Sequence, residues 1–143
     1  MNKKAESFQK YLEENNITCF TVEEVPEDRL NTVVFRSKIE CNGQQLPLLL
    51  VLDDSVYGMV KILIAGQAAN EGNRQALLEE INLVNSSYKA FKYYIDNNGA
   101  LMLDCCILSG AYTADGRLIY AMFDVIIGHL QEEYKKMMQL IWQ

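Results

Sequence analysis

The sequence predicts an α+β fold, an antiparallel β-sheet flanked by helices in the order α-β-β-β-β-α-β-β-α. Three observations carry the prediction. An Asn42-Gly43 dipeptide separates two strand-like runs, and Asn97-Asn98-Gly99 separates two more. The end of the chain then repeats apolar residues at helical spacing. With 143 residues, half of them hydrophobic and 22% charged, the chain has the size and composition of one globular domain spanning residues 1–143. No repeat, low-complexity tract or Pro/Gly/Ser linker suggests a boundary.

The first element reads as a helix from about Lys3 to Asn15, with Phe8, Tyr11 and Leu12 on one stripe and Asn15-Asn16 as its stop. Ile17 to Val22 is rich in β-branched and aromatic residues and reads as a strand, ending in the acidic turn around Pro26. The Asn42-Gly43 hairpin is the sharpest local signal. A two-residue type I′ loop needs φ > 0 at both positions, which Asn and Gly tolerate best. Setting Cys41 opposite Gln44 pairs Ile39 with Leu46, Ser37 with Leu48, Phe35 with Leu50 and Val33 with Leu52. One face is then almost wholly apolar. The other carries Glu40, Lys38, Arg36, Gln45 and Pro47, with Leu49 and Val51 as exceptions. A one-residue slip would bury Arg36 and Lys38, so the register is well specified.

After the Asp53-Asp54-Ser55 turn, Val56–Ile64 is apolar on both faces and reads as a central strand. Asn73 is the expected cap of a helix from Arg74 to about Ser86, with Leu77, Ile81 and Val84 buried and Leu78 beside them. The second hairpin runs from Phe91 to Leu108. A three-residue loop with Gly99 left-handed pairs Ile95 with Leu101, Tyr93 with Leu103 and Phe91 with Cys105. It sets Lys92 against Asp104 and Tyr94 against Met102 on the other face. A two-residue loop would mix the faces. The final helix runs from about Asp115 or Gly116 to Gln139 or beyond. Ile119, Phe123, Ile126, Leu130, Tyr134, Met137 and Ile141 fall within an arc of about 80°. Its first half is apolar well outside that arc, through Leu118, Met122 and Val125 on one flank and Tyr120 and Ile127 on the other. One sheet cannot cover so wide a surface, so either the first helix or a second protein is expected there.

Charge and composition narrow the function. A net charge of -6, from 19 acidic and 13 basic residues, disfavours nucleic acid. Lys3-Lys4 and Lys135-Lys136 are too short for a phosphate track. No run approaches the roughly 20 apolar residues of a membrane span, and the start of the chain does not read as a secretory leader. The expectation is a cytoplasmic protein without membrane or nucleic-acid partners, its cysteines reduced.

No catalytic or metal constellation assembles in the sequence, and no cofactor is expected. Cys19, Cys41, Cys105 and Cys106 show no CxxC spacing, and one histidine leaves no Cys/His zinc set. On a strand, Cys105 and Cys106 point to opposite faces, one into the core. His129 lies at the polar margin of the last helix beside Glu132 and Glu133 and reads as solvated rather than as a base for a nucleophilic cysteine. Asp53-Asp54 reads as a turn former. No P-loop, GxGxxG or GxSxG motif is present. Met137, Met138, Ile141 and Trp142 crowd the end of the chain and suit either a tucked helix end or a binding surface.

Residues 77–140 resemble the YbjN family of bacterial proteins. The resemblance rests on Leu77 to Asn85, then Phe91 to Asp96, then Gly99 to Asp104, then the terminal helix, with the Asn82/Asn85 pair and the Gly99 hairpin the most distinctive positions. The N-terminal part agrees only in element order. What the resemblance implies is a fold similar to type III secretion chaperones, usually dimeric, in proteins described as sensory-transduction regulators or of unassigned role. It supplies no catalytic residues. Asn82 and Asn85 read as structural, their amides securing the helix end and the loop after it.

The reading that follows is a non-enzymatic protein-interaction module, chaperone-like or a regulatory adaptor, binding protein partners and forming a homodimer. Its expected self-association surface comprises Tyr120, Ile127, Met138 and Trp142. The alternative is a small-molecule-binding or enzymatic domain with its site in the cleft between sheet and terminal helix, lined by Tyr57, Tyr93, Tyr94 and Cys106. A third reading is a structural subunit of a larger assembly.

Overall fold

The computed structural model describes residues 1–142. Helix α1 (Lys3–Glu14) leads into strands β1 (Thr21–Glu24), β2 (Val33–Cys41), β3 (Gln44–Leu52) and β4 (Tyr57–Ala65). Helix α2 (Arg74–Ser87), strands β5 (Phe91–Ile95) and β6 (Leu101–Leu108) and helix α3 (Gly116–Ile141) follow. The six strands form one antiparallel sheet in the order β1-β2-β3-β4-β6-β5. The fold is α+β with the expected element order.

Both hairpins hold the expected register. Cys41 pairs with Gln44 and Val33 with Leu52 across a turn in which Asn42 and Gly43 have φ of 49° and 79°. Ile95 pairs with Leu101 and Phe91 with Cys105, Gly99 having φ 79°. Asp96 closes that loop, its Oδ1 accepting from the N–H groups of Asn98 and Ala100. The run expected to be central, Val56–Ile64, is β4, flanked by β3 and β6.

All three helices contribute to a single core on one face of the sheet. Phe8 and Leu12 of α1, Leu77, Ile81 and Val84 of α2, and the seven expected α3 residues are buried with the inward residues of β2 to β6. Asp115 caps α3, accepting from the N–H groups of Arg117 and Leu118. The apolar flank of α3 is partly covered by α1: the Tyr11 and Tyr120 rings lie 5.8 Å apart, and Gly116 leaves room for Tyr11. Leu118 and Val125, on the other flank, stay exposed.

Three expectations need correction. The first strand lies at Thr21–Glu24, later than Ile17–Val22. Asn16 takes the left-handed C′ position, and the Ile17 N–H donates to Leu12 O at 2.9 Å, closing α1. Phe20 then turns inward and meets Phe8, Phe35 and Phe123, so Ile17 and Phe20 pack as a connection and only the residues after them pair with β2. Asn73 makes no side-chain cap. The chain is already turning at Asn70, whose carbonyl accepts from Arg74 N–H. The Asn73 amide instead donates to Ala68 O and Ile141 O, tying the end of α3 to the loop before α2.

Lys4, of the Lys3-Lys4 pair, is wholly buried. Its ammonium donates to Ser55 O at 2.7 Å and Tyr57 O at 2.6 Å, with Asp53 at 4.0 Å. Beside it, Asn2 caps Ala5 N–H and donates to Asn31 O and Leu52 O, each at 2.8 Å, so the start of the chain is sewn to the sheet. The third correction concerns His129, which is only 4% exposed.

Candidate functional site

Because every helix lies on one side, the other side of the sheet has no helical cover. Its residues follow from the register. Arg36, Leu49, Lys61, Asp104 and Lys92 are cross-strand neighbours in one row from β2 to β5. On one side of that row, Val34, Val51, Met59 and Cys106 make an unbroken apolar strip over four strands, with Glu23 at its β1 end. Tyr57 and Leu108 pair beyond the strip and are 51% and 72% exposed. On the other side, Leu63, Met102 and Tyr94 are neighbours.

The charged row is internally bonded. Lys61 lies 2.7 Å from Asp104 and Arg36 lies 3.0 Å from Glu23. Burial would lower the Lys61 ammonium, but the hydrogen bond and charge of Asp104, with Tyr94, hold it above its ordinary value. A hollow of about 660 Å³ opens on this face, floored by Leu49, Leu63 and Met102, with Arg36 and Lys61 on its lining.

The sheet edges are short. On β5 the Asn85 side chain takes the place of a further strand: its amide donates to Tyr93 O at 3.1 Å and its Oδ1 accepts from Tyr93 N–H at 2.8 Å. Lys92 donates to Asn85 O and Tyr88 O. Asn85 thus secures the helix end to the following strand as expected, whereas Asn82 is exposed and forms no side-chain hydrogen bond among the described residues.

The four residues of the expected self-association surface fall into two groups. Tyr120 and Ile127 are half-buried beside a shallow groove lined also by Cys19, Phe20 and Ile39. Tyr120 is packed against Tyr11 and Phe123, and burial together with Cys19 pushes its hydroxyl up to about 12. Met138 and the 70% exposed Trp142 lie at the far end of α3, lining a hollow of about 530 Å³ with Leu46, Tyr134 and the first hairpin. Four residues separated by up to 22 positions along α3 and its C-cap do not make one patch.

The four residues placed in a sheet–helix cleft are split by the pleat. Tyr93 points into the core and is 2% exposed, while Tyr57, Tyr94 and Cys106 stand on the uncovered face. The space between sheet and α3 is filled by apolar side chains. Cys105 is buried and Cys106 exposed, as the strand alternation requires.

A polar group missed in the sequence lies inside that core. The Tyr93 hydroxyl and His129 Nε2 share a hydrogen bond of 2.8 Å. The imidazole is enclosed by Tyr88 and Phe91, whose ring centroids lie 4.4 and 4.6 Å away. Burial pushes His129 down to about 4 and raises the Tyr93 hydroxyl. One turn on, Glu133 is raised by burial and by Glu80, which itself pairs with Lys136 at 2.9 Å. His129 Nδ1 and Glu133 Oε1 are buried with no hydrogen-bond partner among the described residues. A neutral imidazole bonded to a raised phenol, out of reach of solvent, holds α3 against β5 and offers no accessible base.

Asp53 and Asp54 act in turns: Asp53 accepts from Ser55, and Asp54 accepts from the Asn31 amide. Among the described residues, no group of three His, Cys, Asp or Glu side chains gathers as a metal site would need, and no helix is long and apolar enough to cross a membrane. No family model matches the chain, and no curated protein matches it either.

Proposed function

We propose that the chain is a non-enzymatic protein-interaction module, a chaperone-like or regulatory adaptor of the kind the YbjN resemblance implies, and that it docks partners on the uncovered face of its sheet. The observation that carries this reading is the apolar content of that face. A solvated outer face of an antiparallel sheet ordinarily alternates to polar residues. Here Val34, Val51, Met59 and Cys106 run side by side across four strands, with Leu63, Met102 and Tyr94 beyond the charged row. Val34 is itself buried, but the partly exposed Val51, Met59, Leu63 and Met102, with the exposed Tyr57, Tyr94, Cys106 and Leu108, leave apolar surface of the kind that marks interaction sites, to which Met and Tyr are suited.

The test is affinity capture with the full chain, comparing wild type, a Met59→Asp/Leu63→Asp face variant and a Met138→Asp/Trp142→Asp helix-end variant. Circular dichroism must show both variants folded. A saturable partner lost only in the face variant supports the reading. A partner lost only in the helix-end variant moves the docking surface to α3, and a partner indifferent to both refutes it.

A second reading is a small-molecule site in the hollow of about 660 Å³, favoured by the two cations, Arg36 and Lys61, beside its apolar floor. A ligand library screened by thermal shift tests it. A stabiliser whose effect disappears in Lys61→Met supports it; no stabiliser, or one indifferent to Lys61→Met, counts against it.

A further inference from the structure

We infer that the hollow at the end of α3 is a binding site for a neutral sugar ring, whose apolar face packs on Trp142 and whose hydroxyls bond to amides of the first hairpin. The inference goes beyond the docking reading and does not rest on it.

The hollow exists because two neighbouring strands part. β3 begins at Gln44 and β4 runs to Ala65, yet their pairing stops at Leu48 opposite Ile62. The cause is Pro47. Cys41 and Gln44 are the bonded pair that closes a two-residue turn, so Gln45 and Pro47 turn their backbone groups away from β2 and toward β4. Pro47 has no N–H, and the Leu63 carbonyl opposite it has no donor there. Gln45, the next residue whose backbone faces β4, has no partner in that strand. A hollow of about 530 Å³ opens where the strands separate, with Tyr134, Met138 and Trp142 also on its lining. That volume falls within the roughly 300–1,000 Å³ of small-ligand sites.

The lining selects an uncharged ligand. In a chain 22% charged, no lining residue carries a charge at neutral pH. Its one ionisable group, the Tyr134 hydroxyl, is raised further by burial. Lys38 and Glu40, opposite Pro47 and Gln45 on β2, fall outside the lining. A phosphate, carboxylate or ammonium would lose water here and meet no opposite charge.

Hydrogen bonding is what the hollow offers instead. The exposed side-chain amides of Asn42, Gln44 and Gln45 make no hydrogen bond among the described residues. The Tyr134 hydroxyl, on a residue only 7% exposed, has no partner among them either. A primary amide both donates and accepts, as a hydroxyl does. Amides therefore match a ring of hydroxyls whichever way each O–H turns.

Trp142 completes the match. Its side chain is exposed, but its backbone is fixed. The Trp142 N–H donates to Met138 O at 3.0 Å, and Ile141 O accepts from the Asn73 amide at 3.2 Å. The indole is a platform in place before a ligand arrives, which spares part of the ordering cost of binding. A pyranose divides as the hollow does, into an apolar face of C–H groups and a rim of hydroxyls. A nucleotide would stack as well on the indole but brings a phosphate that the lining cannot meet.

Trp142 is the only tryptophan, so the emission of the full chain reports this site alone. The sugars tested are glucose, galactose and maltose, each titrated to about 50 mM. Glycerol serves as a polyol without a ring face, and glucose-6-phosphate as a charged sugar. The expected result is a saturable change in emission with at least one neutral sugar, with a Kd of about 1 mM. Tyr134→Phe should weaken it about 5-fold, the loss of one hydrogen bond. Gln44→Leu/Gln45→Leu should weaken it about 10-fold or more. Lys61→Met, in the neighbouring hollow, should leave it unchanged. All three variants keep Trp142 and are read in the same way. No saturable response to any of the three sugars overturns the inference, as does an equal response to glycerol. So does glucose-6-phosphate binding more tightly than every neutral sugar, or binding lost in Lys61→Met and kept in the Gln44/Gln45 variant. None of these outcomes alters the docking reading, which stands or falls on partner capture by the sheet face.

Discussion

Acidification should destabilise this protein through one imidazole, and the size of the effect follows from its surroundings. His129 faces Tyr93, Tyr88 and Phe91, with Glu133 one turn along α3 and the Glu80–Lys136 pair beyond it. Burial lowers its pKa from 6.5 to about 4 in the folded chain. The unfolded chain therefore binds the proton more readily, so the contribution is complete above pH 6.5 and is lost as pH falls from 6.5 toward 4. A difference of about 2.5, at about 1.4 kcal/mol for each, makes the full contribution about 3 kcal/mol. Most of it, about 2 kcal/mol, is gone by pH 4.5. Glu133 works in the opposite sense, because burial raises its carboxyl and acid favours the folded form; it is common to wild type and variant.

The assay is urea unfolding followed by far-ultraviolet circular dichroism at pH 7, 6, 5 and 4.5. It compares wild type with Tyr93→Phe/His129→Leu, which removes both partners of the buried bond and so strands neither. The wild type should lose about 2 kcal/mol more than the double variant between pH 7 and 4.5. Equal slopes would show that His129 is solvated or otherwise paired, and the account of α3 docking would fail. Tyr93→Phe alone leaves both imidazole nitrogens unpartnered and should cost about 1–3 kcal/mol at pH 7, more than the double variant if the pair is coupled.

Asn85→Ala strips the Tyr93 N–H and C=O of their partners. A loss of about 1–2 kcal/mol is expected, together with concentration-dependent association through the opened β5 edge, read by light scattering against urea midpoints. Gly116→Ala would place a Cβ 2.2 Å from the Tyr11 ring. Packing α1 away from α3 to relieve it should cost about 1–3 kcal/mol, whereas Gly128→Ala, with nothing within 4 Å, should be neutral or stabilising by about 1 kcal/mol; equal effects would refute the contact. Lys4→Ala leaves a cavity and two carbonyls without their donor, an expected loss of about 2–4 kcal/mol, while Lys3→Ala at the exposed neighbouring position should change the midpoint little.

The hairpin registers were legible because each depends on a turn of fixed length and on alternation that a slip would invert. Cys41 opposite Gln44 and Phe91 opposite Cys105 follow from Asn42-Gly43 and Asn97-Asn98-Gly99 alone. The buried stripe of α3 was legible for the same reason, since 100° per residue is a local property. His129 was not. It lies about 60° outside that stripe, and only the approach of Tyr88 and Phe91 from other elements widens the buried arc to include it. The burial of Lys4 was illegible for a related cause: nothing local shows that the carbonyls of Ser55 and Tyr57, some fifty residues on, wait for it.

The candidate surface divides along the same line. Alternation separates Lys61, Met59 and Cys106 from Val60 and Cys105, and the sequence determines it without reference to the rest of the fold. Which of the two faces receives the helices is a tertiary outcome. It places Tyr93 in the core and Tyr57, Tyr94 and Cys106 outside it, and it divides Tyr120 and Ile127 from Met138 and Trp142. The sequence by itself determined the elements, their pairing and the two sides of the sheet, because turns and periodicity act over a few residues. Only the tertiary structure decided which side stays open, because that depends on where three helices, distant in the chain, together bury the most apolar surface.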